Sequence, residues 1–269
     1  MSDFLEQVIA ERRADVAVAR LAMSDDQMRA KAQVGTMRPF DHFYQAIRHR
    51  QSSLAVIAEV KRISPASGVL VENFDPVAQA RRYVAAGATA ISVLTEGRHW
   101  GGSLDDLVAI RDAVGVPLLA KDVIVDAYQI FQARAAGADA VLLIAEALDD
   151  ALLRDLVSIT KRLGMSALVE AHEASAFGRG VASGAQVVGV NARNLRKPAE
   201  IDVGRVRQLH TFVHADQILV AESGITSIDD ARMLPARVDA VLVGTALMRS
   251  DDPGQLIQGI ASIRRTVPA

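Results

Sequence analysis

Short apolar runs recur along the chain, each followed by a stretch with helical spacing. Eight such runs, spaced roughly 20 to 35 residues apart, lie at 54–61, 90–96, 117–123, 140–146, 167–172, 187–193, 218–224 and 240–247. Continuous apolar runs predict strands buried on both faces, and strands that alternate with helices predict a parallel sheet. Eight units are the number in a closed barrel, whereas a doubly wound open sheet has no reason to stop at eight. We therefore predict an α/β fold, a (β/α)8 TIM barrel.

The first 50 residues precede this repeat and carry helical patterns of their own. One helical face collects five apolar residues: Phe4, Leu5, Val8, Ile9 and Val16. We divide the chain into an N-terminal helical extension packed on the barrel, 1–50, and the barrel itself, 51–269, within a single domain overall. Of two positions for the extension, we favour one that covers the base of the barrel over a flap near its mouth.

Polar side chains stand at the ends of five predicted strands, where barrels of this type carry their chemistry. Because side chains alternate between the two faces of a strand, Glu59 shares a face with Lys61, and Asn191 with Arg193. If these faces point inward, seven polar side chains meet at one mouth: Glu59, Lys61, Lys121, Glu170, Asn191, Arg193 and Glu222. Asp122 follows Lys121 directly and should therefore face away, in a structural role.

Such a cluster can perform acid–base chemistry. A single Lys or Glu at a strand end is ordinarily a solvated loop residue, but burying this many ionisable groups costs several kcal/mol unless their charges are paired. A partly desolvated Lys among carboxylates can donate a proton, and crowding can raise the pKa of a Glu until it acts as a base. The five strand ends together therefore favour an enzyme.

Gly and hydroxyl residues stand where the last two strands give way to helices, at 223–224 and 244–245. Backbone N–H groups can approach an anion closely at such positions. The loops after the last two strands commonly bind phosphate in this fold. We therefore expect a small phosphorylated molecule as the ligand.

Composition narrows the remaining classes. Cysteine is absent, which excludes disulfides, thiolate metal sites and cysteine nucleophiles, and a net charge of −2 gives no basic excess for nucleic acid. No apolar stretch approaches a membrane span, and the N-terminus carries acid where a signal peptide carries base. His210 and His214 lie four apart without a third ligand nearby, so we favour a solvated pair over a metal site. We predict a cytoplasmic protein that binds neither nucleic acid nor membrane.

Several strand-end segments have distinctive sequences. The segment at 57–68 reads IAEVKRISPASG, and further matches are SVLTE at 92–96, GSL at 102–104, LAKD at 119–122, LVE at 168–170, GVN at 189–191, AESGI at 221–225 and GTALM at 244–248. Together they resemble the indole-3-glycerol phosphate synthase family over nearly the whole chain. The helical N-terminal extension is similar to that family's as well.

The resemblance implies a reaction of tryptophan biosynthesis: ring closure, decarboxylation and dehydration of 1-(2-carboxyphenylamino)-1-deoxyribulose 5-phosphate to indole-3-glycerol phosphate. It implies Lys121 as general acid, Glu170 as base of the last step, and Lys61 at the anthranilate carboxylate. The supporting catalytic residues are Glu59, Asn191 and Glu222. The residues expected to bind the substrate and its phosphate are Ser64, Pro65, Trp100, Arg193, Ser223, Gly224, Gly244 and Thr245. No metal and no organic cofactor is implied, and the protein should be a monomer or a weak homo-oligomer.

The chain departs from the family pattern at several positions, of which 123 bears on the site, and two alternatives stay open. Val123 stands where family members usually carry Phe, so we expect a weaker grip on the anthranilate ring. A related phosphate-binding barrel is one alternative, although phosphoribosylanthranilate isomerase ordinarily uses a Cys base that this chain lacks. The other is a non-catalytic barrel that binds a phosphorylated metabolite without turnover.

Overall fold

The computed structural model describes residues 3–34, 39–48, 52–71 and 74–265. The strands in these ranges are β1 (Ala55–Val60), β2 (Ile63–Ser64), β3 (Gly68–Val69), β4 (Ala90–Leu94), β5 (Leu118–Lys121), β6 (Ala140–Ile144), β7 (Ser166–Ala171), β8 (Val187–Asn191), β9 (Ile218–Glu222) and β10 (Ala240–Val243). The helices are α1 (Phe4–Ala22), α2 (Asp25–Val34), α3 (His42–Arg48), α4 (Pro76–Ala85), α5 (Leu104–Ala113), α6 (Ala127–Ala135), α7 (Asp150–Arg162), α8 (Ala174–Val181), α9 (Arg205–Leu209), α10 (Ile228–Arg232), α11 (Thr245–Arg249) and α12 (Pro253–Ala261).

β1 and β4 to β10 close into a parallel barrel, in the order β1-β10-β9-β8-β7-β6-β5-β4. Helices alternate with these strands along the chain, and the short strands β2 and β3 form an antiparallel hairpin directly after β1. The predicted (β/α)8 TIM barrel is thus confirmed. Parallel neighbours bring the carboxyl ends of all eight strands to one end of the barrel, which is therefore the mouth.

Side chains of the strands alternate between the barrel interior and the outer layer of helices, as the pleat requires. In β1, Ala55 and Ile57 belong to the interior apolar cluster, whereas Val56 and Ala58 pack in the cluster beneath the helices. Apolar residues cover both faces because the helices shield one and the opposite strands shield the other. This alternation decides which residues can reach the mouth.

Polar residues begin the helices that follow the strands. Asp75 accepts hydrogen bonds from the backbone N–H groups of Val77 and Ala78, each at 2.9 Å, and Pro76 occupies the first helical position. Ser103 caps α5 in the same way by accepting from the N–H of Asp106. Such caps satisfy N–H groups that lack partners within the helix, and so fix where each helix starts.

The segment before β1 lies at both ends of the barrel. At the base, Phe43 and Ile47 of α3 pack into the interior cluster, and the backbone N–H of Tyr44 donates to Ser166 at the start of β7. α1 lies at the mouth, where Leu5 and Val8 line a cavity that also contains Lys61 and Lys121. The expectation that the extension covers the base is therefore correct for α3 and wrong for α1.

Ion pairs explain the position of α1. Arg12 donates two hydrogen bonds of 2.9 Å to Asp122, directly after β5, and Asp15 pairs with Arg98 in the loop after β4. The helix thus turns its apolar side toward the mouth and holds its place with charges on the neighbouring side. The predicted boundary between residues 50 and 51 lies outside the described residues. No helix in the described ranges is both long enough and apolar enough to cross a membrane.

Candidate active site

The inward row of side chains changes from apolar to polar at the carboxyl end of the strands. In β1 the inward residues Ala55 and Ile57 are followed by Glu59, and in β5 Leu119 is followed by Lys121. The same two-residue step leads to the polar ends of three further strands: Glu170, Asn191 and Glu222. These five side chains form the top layer of the barrel interior. The structure thus brings together the polar cluster that the alternation predicts.

Lys121 stands at the centre of this layer. Its Nζ lies 2.8 Å from Oε2 of Glu222 and 3.8 Å from carboxylate oxygens of both Glu59 and Glu170. Burial by itself would lower the pKa of Lys121, but the three carboxylates outweigh it and raise this pKa above its ordinary value. Lys121 is therefore held as a cation.

Glu59 joins the two lysines. Its Oε1 lies 2.5 Å from Nζ of Lys61. Burial would raise the pKa of Glu59, but the charges of Lys61 and then Lys121 hold it below its ordinary value. Glu59 is therefore a fixed anion that orients both ammonium groups rather than a group that exchanges protons.

Glu170 is the carboxyl whose protonation is most easily changed. It is only 1% exposed, and burial followed by the negative charge of Glu222 raises its pKa well above the ordinary value. Asn191 donates a 3.3 Å hydrogen bond to its Oε1. Oε2 of Glu170 and Oε1 of Glu222 accept no hydrogen bond from any described residue. A buried carboxyl of raised pKa is suited to accept a proton from a substrate.

Two positions beside this cluster are glycines, and a side chain there would overlap with the atoms of the cluster. A Cβ added at Gly189 would lie 2.3 Å from Oε1 of Glu222. A Cβ added at Gly244 would lie 2.2 Å from Oε1 of Glu59 and 2.9 Å from Nζ of Lys61. These distances are shorter than any van der Waals contact, so a side chain at either position would displace a carboxylate of the cluster.

The mouth has an apolar and a polar compartment, which share Glu59, Lys61, Lys121, Arg193 and Ser223. The apolar compartment is lined by Phe4, Leu5, Val8, Pro65, Trp100, Val123, Leu142, Ile144 and Leu195. The polar compartment is lined by Ser67, Ser223, Gly224, Thr226, Gly244, Thr245 and Arg249. The cavity can therefore hold a molecule with an aromatic end and an anionic end, with its centre at the lysines.

Most of the residues expected to bind substrate lie in these compartments. Pro65 and Trp100 line the apolar compartment, and the segments 223–224 and 244–245 line the polar one. Ser223 and Gly224 have φ values of 65° and 76°, so the chain turns sharply at this rim. Ser64 lines the apolar compartment and not the polar one, so its part in binding phosphate stays a prediction.

Arg193 and Asp122 lie at the edges of the cluster. Burial lowers the pKa of Arg193, which Glu59 offsets only in part, and its guanidinium donates to the carbonyl oxygen of Pro198. The carboxylate of Asp122 is held by Arg12 and by a 3.0 Å hydrogen bond from Thr95. As predicted, Asp122 is directed away from the lysines and binds the extension to the barrel.

Comparison with known proteins identifies the family. The family model described as indole-3-glycerol phosphate synthase matches residues 5–260. The chain belongs to the indole-3-glycerol phosphate synthase family. This is a family of carboxy-lyases of tryptophan biosynthesis.

Relatives within the family are similar over almost their full length. The indole-3-glycerol phosphate synthase of Nocardioides sp. is 47% identical over 264 residues, which cover 96% of this chain and 98% of the relative. That of Laribacter hongkongensis is 42% identical over 258 residues, covering 94% and 97%. The solved structure of thiamine phosphate pyrophosphorylase from Pyrococcus furiosus has a TM-score of 0.58 at 17% identity, over 79% of this chain and 95% of its own. At that identity the likeness shows the barrel fold alone.

Sequence reasoning missed two groups of cavity residues. Phe4, Leu5 and Val8 were recognised as an apolar helical face but not as a wall of the cavity. Glu96 is buried at the mouth, and no role was assigned to it. It lies two residues beyond Leu94, which also lines the cavity, and this two-residue step is the signal that could have placed Glu96 at the mouth.

Proposed function

We propose that the chain converts 1-(2-carboxyphenylamino)-1-deoxyribulose 5-phosphate to indole-3-glycerol phosphate by ring closure, loss of CO2 and loss of water. The observation that carries this proposal is the position of Lys121, among three buried carboxylates and between an apolar and a polar compartment. A substrate with an aromatic ring at one end and a phosphate at the other fits this arrangement.

The two compartments orient the substrate. Its anthranilate ring lies against Trp100 and Val123, and its phosphate lies near the backbone of 244–245. Lys61, which borders both compartments, meets the ring carboxylate. The ketone carbon is thereby placed beside Lys121, and binding at both ends holds the chain folded for ring closure.

Ring closure requires a proton donor. The ring carbon that bears the carboxylate attacks the ketone carbon, a carbon–carbon bond forms, and the carbonyl electron pair moves to oxygen. Lys121 donates a proton to that oxygen. Its raised pKa does not prevent this step, because an alkoxide is far more basic than an amine. The carbon–carboxylate bond then breaks, CO2 leaves, and the electron pair restores the aromatic ring.

Dehydration requires a base as well as an acid. The hydroxyl formed from the ketone leaves as water after taking a proton from an ammonium group, for which Lys61 is suitably placed. Glu170 removes the proton from the adjacent CH2 carbon, so that the double bond of the indole forms. The raised pKa of Glu170 makes it a stronger base than a solvated carboxylate. Asn191 steadies Glu170, while Glu59 and Glu222 keep the lysines charged and in place. The ring nitrogen and ring carbons supply the electrons, so we expect no metal or organic cofactor.

The assay is the appearance of indole absorbance or fluorescence when purified protein meets the substrate. Lys121→Ala should lower kcat by about two to four orders of magnitude, the range in which general acids contribute. Lys121→Met, which fills the space of the lysine stem, provides the same test with less loss of packing. Lys197→Ala, a lysine at the exposed loop after β8, is the matched control and should leave kcat within about twofold. Substrate binding without turnover by the wild type would instead favour a non-catalytic barrel.

A further inference from the structure

Glu96 is a buried carboxylate that organises the loop after β4. It is 1% exposed, and it accepts hydrogen bonds from three successive backbone N–H groups of this loop. Oε1 accepts from Arg98 at 2.9 Å, and Oε2 accepts from His99 at 2.7 Å and Trp100 at 3.1 Å. The loop is thus wrapped around one side chain.

These three hydrogen bonds offset most of the free-energy cost of burying the Glu96 carboxylate. Within the described ranges, no ion pair joins Glu96 to a Lys, Arg or His. Burial of a carboxylate without a cation is unfavourable unless hydrogen bonds to the charge replace water, and bonds of this kind are the strong ones. Moving any of the three N–H groups away would leave the buried carboxylate without one of its hydrogen bonds, so the backbone at 98–100 is held in place.

The rest of the loop is equally constrained. The backbone N–H of Gly102 donates to the carbonyl oxygen of Glu96 at 2.8 Å, which closes the loop. A Cβ at Gly102 would lie 2.1 Å from the carbonyl oxygen of Leu94, so the chain passes β4 too closely for any side chain. The conformation between these two points is held by the Glu96 carboxylate, together with a hydrogen bond from Arg62 to the carbonyl oxygen of Gly101 and the pairing of His99 with Glu11.

Trp100 is the side chain that this loop presents to the cavity. It lines the apolar compartment, with its ring centroid 5.9 Å from that of Phe4 and 6.0 Å from that of His99. An indole ring held at a fixed angle offers a large flat face to another aromatic ring. We infer that Glu96 is a positioning residue whose carboxylate holds Trp100 as one wall of the apolar compartment.

The effect on the substrate rests on the proposed function, whereas the effect on Trp100 does not. Glu96→Gln keeps the shape but replaces one oxygen by an NH2 group, which then faces a backbone N–H. Trp100 is the single tryptophan of the chain, so its emission reports the loop directly. We expect a red-shifted emission and an increase of about twofold or more in acrylamide quenching, because a released indole ring meets water.

Turnover should change in KM rather than in kcat. Loss of hydrogen bonds to a charge corresponds to roughly a tenfold change in an equilibrium, so KM should rise about tenfold while kcat stays within about twofold. A double-mutant cycle with Trp100→Leu tests whether Glu96 changes KM through Trp100. In the Trp100→Leu background, Glu96→Gln should no longer raise KM.

Glu146→Gln is the matched control. Glu146 follows β6, and its Oε1 accepts from the backbone N–H groups of His172 and Glu173 in a different loop. This variant should leave both the Trp100 emission and KM unchanged. Glu96→Asp, which keeps the charge but withdraws it by one CH2, replaces Glu96→Gln if the latter does not fold.

Three outcomes decide the question. Unchanged emission and quenching in the Glu96 variant would overturn the positioning role. An equal rise in KM with and without Trp100 would show that Glu96 acts by another route and would overturn it too. If the wild type does not turn over, the proposed function fails, but the emission of the same samples still decides whether Glu96 holds Trp100.

Discussion

Burial of Glu170 raises the pKa that the proposed base needs, and it also makes the ionised side chain unfavourable for folding. Glu170 lies in the top layer of the barrel, and its raised pKa means that the ionised form is unfavourable there. Glu170→Gln removes the charge and keeps the shape. We expect a variant that is more stable than the wild type at pH values above the folded pKa of Glu170 and that no longer forms indole.

The magnitude follows from the neighbours of Glu170. The change loses the attraction to Lys121 at 3.8 Å, but this lysine keeps Glu222 at 2.8 Å and Glu59. It gains relief from the repulsion by Glu222 and from burying a charge, and the new amide can donate to Oε1 of Glu222, which accepts from no described residue. An unsatisfied buried group costs about 1–3 kcal/mol, so we expect a gain of that order. For a chain of this size, each kcal/mol raises Tm by about 2–4 °C.

The stability gained by Glu170→Gln should increase as pH rises. Because folding raises the pKa of Glu170, its stabilising contribution is complete below the unfolded pKa and is lost as pH rises through the folded pKa. Gln does not titrate. The two proteins should therefore have similar Tm values in mild acid, and the variant should gain on the wild type as pH rises.

Two measurements test this reasoning. Thermal unfolding of both proteins across pH gives the difference in stability, and single-turnover assays follow CO2 and indole separately. CO2 release should persist, because ring closure depends on Lys121, whereas indole formation should fall by about two orders of magnitude or more. A variant whose Tm does not gain on that of the wild type as pH rises, or one that forms indole at the wild-type rate, would refute the argument.

Two further substitutions test the walls of the cavity. Val123→Phe adds an aromatic face to the compartment that Trp100 also lines, and it should lower KM about two- to tenfold with little change in kcat. An unchanged KM would count against a ring pocket at this position. Gly244→Ala places a Cβ 2.2 Å from Oε1 of Glu59 and should lower kcat/KM at least about tenfold, whereas Gly178→Ala in α8, where a Cβ meets nothing within 4 Å, should preserve activity. Wild-type kinetics for Gly244→Ala would show that the displaced carboxylate has no part in turnover.

Much of the barrel was predictable because its strands are short, apolar and regularly spaced. The inward position of Glu59 and Lys121 follows from alternation alone, since each lies two residues beyond an inward apolar residue. The outward position of Asp122 follows by the same rule. Alternation predicts these positions reliably because both faces of each strand are buried, one by the helices and the other by the barrel interior.

The position of the extension was not predictable in this way. The apolar face of α1 is suited to either end of the barrel, and what places it at the mouth is its pairing with distant charges, Arg12 with Asp122 and Asp15 with Arg98. The role of Glu96, unlike its position at the mouth, was not predictable for a similar reason. Its partners are backbone N–H groups, which leave no mark in the sequence.

The shared border of the two compartments has a consequence for how a turnover ends. Lys61 reaches both compartments and lies beside Glu59, so it has an anionic neighbour whether or not a ligand is bound. The proposed substrate arrives anchored at two ends, by its carboxylate and by its phosphate. Decarboxylation removes the carboxylate as CO2, so the product is bound through its phosphate alone. In the proposed reaction the product is therefore bound less tightly than the substrate, while Lys61 keeps Glu59 as its ion-pair partner.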